Sequence, residues 1–161
     1  MDRFPDNPDA FFNVAIELTF LNESRQAEEY FRKTIDAFEQ FAGPKYTQTL
    51  VAAKYKLSQQ LLRGESYQEA ARLLNEVVEM DPNYLQAHLD LARIKIRQRL
   101  YQDARRHLER AIALNPQSEE GHYLLARAFS LAGNAIEAKR EYQKFSDLRA
   151  GRDNSVLMVV D

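Results

Sequence analysis

The residues of this chain whose types could do chemistry are three histidines, a set of arginines and a large stock of carboxylates. His88 and His122 stand 34 residues apart, with His107 between them. Three separated histidines without a single cysteine are thin support for a metal centre. The sequence has no HExxH, no glycine-rich phosphate loop and no Cys pair. Its Asp and Glu residues fall on polar helix faces, where solvent surrounds them, whereas catalysis calls for an enclosed pocket with perturbed groups. The reading is therefore no enzyme, no catalytic residue, no metal and no cofactor, with the histidines as packing residues. The basic run Arg93, Lys95, Arg97, Arg99, Arg105, Arg106 and Arg110 could suggest nucleic acid. It is spread over two helices without one continuous stripe, and the rest of the chain is acidic, so nucleic acid is not the expected partner.

A chain of 161 residues with 45% hydrophobic and 29% charged residues is a folded one rather than a disordered one. The net charge of -2 gives no general drive toward anionic surfaces. Apolar runs are a few residues long, so membrane insertion is not expected. The absence of cysteine and of a signal-peptide h-region at Met1-Asp2-Arg3-Phe4-Pro5-Asp6 points to a reducing, cytoplasmic setting, provided that the chain is not a piece of something longer.

The chain is organised by a period. Tyr67–Pro82 (YQEAARLLNEVVEMDP) and Tyr101–Pro116 (YQDARRHLERAIALNP) match in type at a constant offset of 34 residues. Ala70, Ala104 and Ala138 keep that spacing, and Ala27 precedes Ala70 by 43 residues. Apolar residues recurring at three and four predict helices over about Asp9–Leu21, Arg25–Phe41, Tyr46–Leu62, Tyr67–Met80, Tyr84–Gln98, Tyr101–Leu114, Glu120 or Gly121 onward, and Ala135 to about Leu148. Ser24 and Ser118 are candidate caps, and Gly43-Pro44, Pro82 and Pro116 are stops. The expected packing stripe takes Phe11, Val14, Ala15 and Leu18 in the first helix and His88, Leu91, Ala92 and Lys95 in the fifth. His107 is expected on the outer side. A helix pair cannot bury its apolar face alone, so a period of this length implies stacked neighbours.

These residues resemble the tetratricopeptide repeat. The family's small residue at the helix crossing is Ala27, Ala70, Ala104 and Ala138, and the large residue after it is Phe31, Leu74, Leu108 and Tyr142. Its Pro is Pro5, Pro82 and Pro116. Its Leu-Gly pair is Val14-Ala15, Leu57-Ser58, Leu91-Ala92 and Leu125-Ala126, and its early aromatic is Phe11, Lys54, His88 and His122. The resemblance covers about residues 5–148. It implies an all-α, right-handed superhelical solenoid of antiparallel helix pairs, a single domain of about four repeats at 8–43, 44–84, 85–118 and 119–149, with a tail at 150–161. The position of Pro5 makes the opening residues look like the end of an earlier repeat, either a vestige or the start of a fragment.

The resemblance further implies a non-catalytic protein-interaction module or scaffold whose first helices line a concave groove. Carried over residue by residue, the groove takes Phe12, Ile16 and Phe20 in the first repeat, with Asp9 and Thr19. It takes Ala52, Tyr55, Gln59, Leu62 and Arg63 in the second, Gln86, Leu89, Arg93, Ile96 and Arg97 in the third, and Glu120, Tyr123, Arg127, Ser130 and Leu131 in the fourth. All lie opposite the packing stripe, so their apolar members are expected to be surplus to the core. Aromatics beside arginines are the composition of a protein-binding surface. Residues 1–43 hold nine acids against four bases, and residues 85–116 seven bases against three acids. The expected ligand is a peptide or partner helix with apolar side chains toward the first repeat and acidic ones toward Arg93, Arg97 and Arg127. The Asn pair of the family's carboxylate-clamp subclass is missing, so a chaperone tail is not expected. The alternative function is self-assembly, a homo-oligomer formed through the first repeat or through the apolar Val156–Val160 tail. That tail is expected to leave the helical pattern as a polar turn and a short extended segment.

Overall fold

The computed structural model describes residues 7–40 and 47–157, all in helices and the short turns between them. Eight helices are found among the described residues: α1 (Pro8–Phe20), α2 (Ser24–Gln40), α3 (Thr47–Arg63), α4 (Tyr67–Met80), α5 (Leu85–Arg97), α6 (Tyr101–Leu114), α7 (Glu119–Leu131) and α8 (Ala135–Leu157). They fall into two compact units, Met1–Pro82 with α1 to α4 and Asn83–Asp161 with α5 to α8. The expected roles of Pro5, Phe41, Gly43, Pro44, Tyr46 and Met158–Val160 lie outside the described residues.

In each unit the helices pair in sequence, α1 with α2, α3 with α4, α5 with α6 and α7 with α8. The second helix of one pair also packs on the first helix of the next, α2 on α3 and α6 on α7. Ala27, Ala70, Ala104 and Ala138 are all buried at the crossings. A methyl group there lets two backbones approach closely, and the large neighbours fill the holes beside it.

The turn inside every pair is the same. Asn22, Glu65, Arg99 and Gly133 each have positive φ, at 61°, 59°, 62° and 84°. The next residue sends its N–H back to the carbonyl five residues earlier, as Glu23 to Leu18 (2.9 Å), Ser66 to Leu61 (2.8 Å), Leu100 to Lys95 (2.9 Å) and Asn134 to Phe129 (2.9 Å). This left-handed closure satisfies carbonyls that would otherwise end the helix unpaired. Only Gly133 adopts it without steric cost, and nothing stands within 4 Å of where its Cβ would be. Gly133→Ala should therefore destabilise the chain by about 1–2 kcal/mol through backbone strain alone. Equilibrium denaturation measures it, and an unchanged midpoint would contradict the assignment.

Several expectations are corrected. Ser24 is the first helical residue of α2 rather than its cap, since the Glu23 carbonyl already accepts the Ala27 N–H at 3.0 Å. Ser118 does cap α7, its hydroxyl accepting the Gly121 N–H at 3.0 Å. The extra residues of the first repeat lengthen helices, since α2 and α3 have 17 residues each against 14 in α4 and 13 in α5. α8 does not stop at Leu148 but continues to Leu157. Ala150 stands where Pro82 and Pro116 end α4 and α6, so no missing N–H and no ring clash break it. Gly151 to Leu157 is thus helical rather than a turn leading into an extended segment.

Candidate functional site

Each pair repeats one side-chain register. Contacts between residue i on a first helix and i+19 on the second recur as Phe11–Tyr30 (ring centroids 6.3 Å), Phe12–Phe31 (6.0 Å) and Tyr123–Tyr142 (6.2 Å). The same spacing gives His88–His107 and His122–Glu141. The position that carries an aromatic in the first repeat is buried and polar in the other three.

In the second repeat that position is Lys54, nearly fully buried, with its Nζ 2.6 Å from Glu39 on α2 and 2.6 Å from Glu76 on α4. Burial works against the ammonium ion, but the two carboxylates outweigh it and hold its pKa above the usual lysine value. Next to it Arg32 joins Glu28 at 2.9 Å and Glu69 at 2.6 Å, and the Arg32 hydrogen bond holds the Glu69 carboxyl below its usual range. In the fourth repeat His122 is buried, with Nδ1 2.7 Å from Glu141 and Nε2 3.1 Å from the Pro116 carbonyl. Lys144 reaches the other Glu141 oxygen at 2.8 Å. Burial would raise the Glu141 pKa, and the Lys144 and His122 hydrogen bonds more than offset it. Each ring nitrogen of His122 lies within hydrogen-bond distance of an oxygen, so this histidine ties α7 to α8.

In the third repeat the His88 and His107 Nδ1 atoms lie 3.1 Å apart, one donating and the other accepting. His107 thus turns inward, half-buried, instead of facing outward as expected. Burial, and after it His88 and Lys95, lower its pKa from 6.5. A histidine kept neutral by the fold adds stability above its unfolded pKa, and that contribution drains away as pH falls through the lower folded value. Stability should fall on acidification below about pH 6.5, and His107→Gln should flatten that part of the profile. Urea midpoints measured across this range test it, and identical profiles for the two proteins would contradict it.

The residues expected to line a groove occupy five repeat positions with different fates, and at the first of them Asp9 and Gln86 are exposed while Ala52 and Glu120 are half-buried. Phe20, Arg63, Arg97 and Leu131 share a second position and are exposed in every repeat. At a third position Ile16 and Gln59 are half-buried, while Arg93 and Arg127 are exposed. At a fourth, Tyr55 and Leu89 are buried, Phe12 is half-buried and Tyr123 is 41% exposed. At the fifth, Thr19 and Leu62 are half-buried, Ile96 is buried and Ser130 exposed.

Tyr55, Leu89 and Ile96 were expected to be surplus to the core, and they are part of the interior. Leu89 and Ile96 cluster with Leu124, Leu125 and Ala128, because α5 packs its side directly against α7. The Tyr55 hydroxyl accepts a hydrogen bond from Gln59 Nε2 at 2.9 Å. Val14 departs in the opposite sense, 39% exposed where Leu57, Leu91 and Leu125 are buried. The Arg93 guanidinium pairs with Asp90 on its own helix and with Glu120 on α7. Arg127, one repeat later, makes no ion pair among the described residues, and Arg97 is exposed.

What sequence reasoning missed is the buried partners of the histidines at that position, His107 and Glu141, and the signal was available. The 19-residue spacing between a first helix and its return places each of His107 and Glu141 opposite a histidine.

The larger clefts are open and structural. One of about 740 Å³ is lined by Pro116, Gln117, Glu119, His122, Lys144 and Arg152, whose charges are already paired, Arg152 with Glu119 at 3.0 Å. Among the described residues no group of three or more His, Asp or Glu is placed to hold a metal ion. No described helix is long and apolar enough to cross a membrane.

Comparison with known proteins bears on this geometry. Residues 61–128 match the profile of the tetratricopeptide repeat. These residues are tetratricopeptide repeats. No curated protein sequence matches the chain. Its backbone is similar to solved structures of MamA, one at TM-score 0.80 and 15% identity over 94% of this chain and 83% of that one. MamA from Desulfovibrio magneticus RS-1 gives 0.78 at 19% identity over 92% and 79% of the two chains. MamA AMB-1 gives 0.79 at 17% over 94% and 84%. At such identities the likeness concerns the fold, a succession of paired helices.

Proposed function

We propose that the chain is a non-catalytic interaction module that binds a peptide or partner helix on the exposed face of its first helices. The observation that carries this reading is the repeat position of Phe20, Arg63, Arg97 and Leu131. It stays exposed in all four repeats, while Lys54, His88 and His122 on the opposite faces of α3, α5 and α7 are buried. In the second unit that position lies one turn from Arg127, which puts cationic and apolar groups on one side of α5 and α7. The ligand chemistry that suits them is a segment carrying both carboxylates and large apolar side chains. The tetratricopeptide fold of residues 61–128 supports a protein partner.

The test is a random-peptide display selection on the intact chain, repeated on Arg97→Glu combined with Leu131→Glu, both exposed positions that leave the core alone. Enrichment of acidic, apolar sequences that is lost on the variant is expected. No enrichment, or peptides that bind both proteins equally, would overturn the reading.

A further inference from the structure

The large apolar side chains most exposed among the described residues all stand at the turns inside helix pairs. In the first unit these are Phe20 and Leu21, and in the second Leu100, Leu131 and Ile136, at 45%, 50% and 83% exposure. A missing stacked neighbour is not the cause. The position of Ile136 is Arg25, Gln68 and Gln102 in the other pairs, that of Leu131 is Phe20, Arg63 and Arg97, and all six are exposed. Leu100 stays exposed although α7 packs against both helices of its pair. Its place is taken by Glu23, Ser66 and Asn134 in the other pairs, all of them polar. Successive helices alternate in direction, so the α5–α6 and α7–α8 turns lie at the same end of the second unit. Residues 96–102 and 130–136, which form that end, carry Arg97 and Arg99 and no acid. Glu137, next in sequence, lines a cleft with Arg105 and Arg140 instead. The connection at the other end, residues 115–120, carries Glu119 and Glu120, no base and no exposed large apolar side chain.

We propose that this end of the second unit docks on an anionic lipid bilayer, with Leu100, Leu131 and Ile136 entering the headgroup region and Arg97 and Arg99 against lipid phosphates. Neither large cleft of the unit is lined by the three aliphatic side chains, so they present separate tips rather than a groove for an extended peptide. A bilayer interface accepts such tips one at a time, burying apolar area without a shaped pocket. The arginines beside them match the negative charge of the surface, and guanidinium suits phosphate oxygens in geometry as well as in sign. The contact is peripheral, since no described helix is long and apolar enough to cross the membrane. It goes beyond the peptide reading and does not rest on it.

The test is cosedimentation of the intact chain with vesicles of phosphatidylcholine alone and of phosphatidylcholine mixed equally with phosphatidylglycerol. The variants borrow residues that the same positions hold elsewhere in the chain, Arg99→Glu from Glu65, Leu100→Ser from Ser66 and Ile136→Gln from Gln102. Glu65 has the same positive φ as Arg99, so each substitution fits its turn. The wild type should bind the mixed vesicles and not the neutral ones. Leu100→Ser combined with Ile136→Gln, and Arg99→Glu alone, should each weaken that binding by at least about tenfold. The sequence has no tryptophan, so Ile136→Trp supplies a single indole fluorophore. Its emission should move to shorter wavelength on the mixed vesicles, whereas that of Gln117→Trp at the other end should stay put. A wild type that leaves the mixed vesicles empty would overturn the proposal, as would binding indifferent to both variants or a shift in the Gln117→Trp protein instead. A chain that ignores vesicles but associates with itself through Leu100 and Ile136 would overturn it in favour of a second copy. Peptide selection, which is disrupted at Arg97 and Leu131, is read separately, so either result stands without the other.

Discussion

Lys54→Glu should destabilise the chain by at least about 3 kcal/mol, a large part of the 5–15 kcal/mol available to a protein of this kind. The substitution places a third carboxylate in a nearly dry position between Glu39 and Glu76, which now hold the ammonium at 2.6 Å each. Glu39 and Glu76 can swing toward solvent, but the new side chain has no cation and must either leave its place or take up a proton. Lys54→Met is the informative contrast. It keeps the volume and removes the charge, and exchanging a buried ion for a well-packed apolar chain is often neutral or stabilising. Urea denaturation of the pair should show the Met variant near or above wild type and the Glu variant far below. If both fall equally, the site depends on the ion pairs themselves rather than on avoiding unpaired charge.

The second large effect is expected at His122 and Glu141. Glu141→Leu leaves the His122 Nδ1 without an acceptor in a buried site and should cost about 3 kcal/mol. The first repeat shows an apolar solution to the same register, since Phe11 and Tyr30 sit at the positions of His122 and Glu141. The transplant His122→Phe with Glu141→Tyr should therefore recover most of what Glu141→Leu loses. His122→Phe alone should remain impaired, because it strands Glu141 and Lys144 against an aromatic edge. A thermodynamic cycle with the two singles and the double measures the coupling, and purely additive effects would contradict a directly bonded pair.

The sequence and the structure agree where local signals are repeated and diverge where burial depends on a neighbouring repeat. α4 and α6 begin at tyrosines and end before Asp81-Pro82 and Asn115-Pro116, and both ranges are legible because proline sets the stop. α8 lacks that stop, and its continuation to Leu157 could not be told from a run of β-favouring residues. Among the groove candidates, the face opposite the packing stripe of a single helix identifies Phe20, Arg97 and Arg127 as exposed. It fails at Leu89 and Ile96, because α7 covers a second side of α5, and one helix's periodicity carries no information about that lateral neighbour. The pairing of Arg93 was not legible for the same reason, since its acceptor Glu120 is 27 residues away on another helix. The buried polar position was visible as a departure from the family pattern. What it bonds was not, because Lys54 takes partners 15 and 22 residues away on helices either side.

The measurement that bears most directly on the central claim is amide chemical-shift mapping of the intact chain titrated with a peptide selected on it. Binding on the exposed face of the first helices predicts the largest shifts at Arg97, Tyr123, Arg127 and Leu131, together with loss of the shifts at those residues in the Arg97→Glu, Leu131→Glu protein. Shifts confined to the cleft of Lys144 and Arg152, or to the outer residues of α6 such as Arg106 and Glu109, would contradict it.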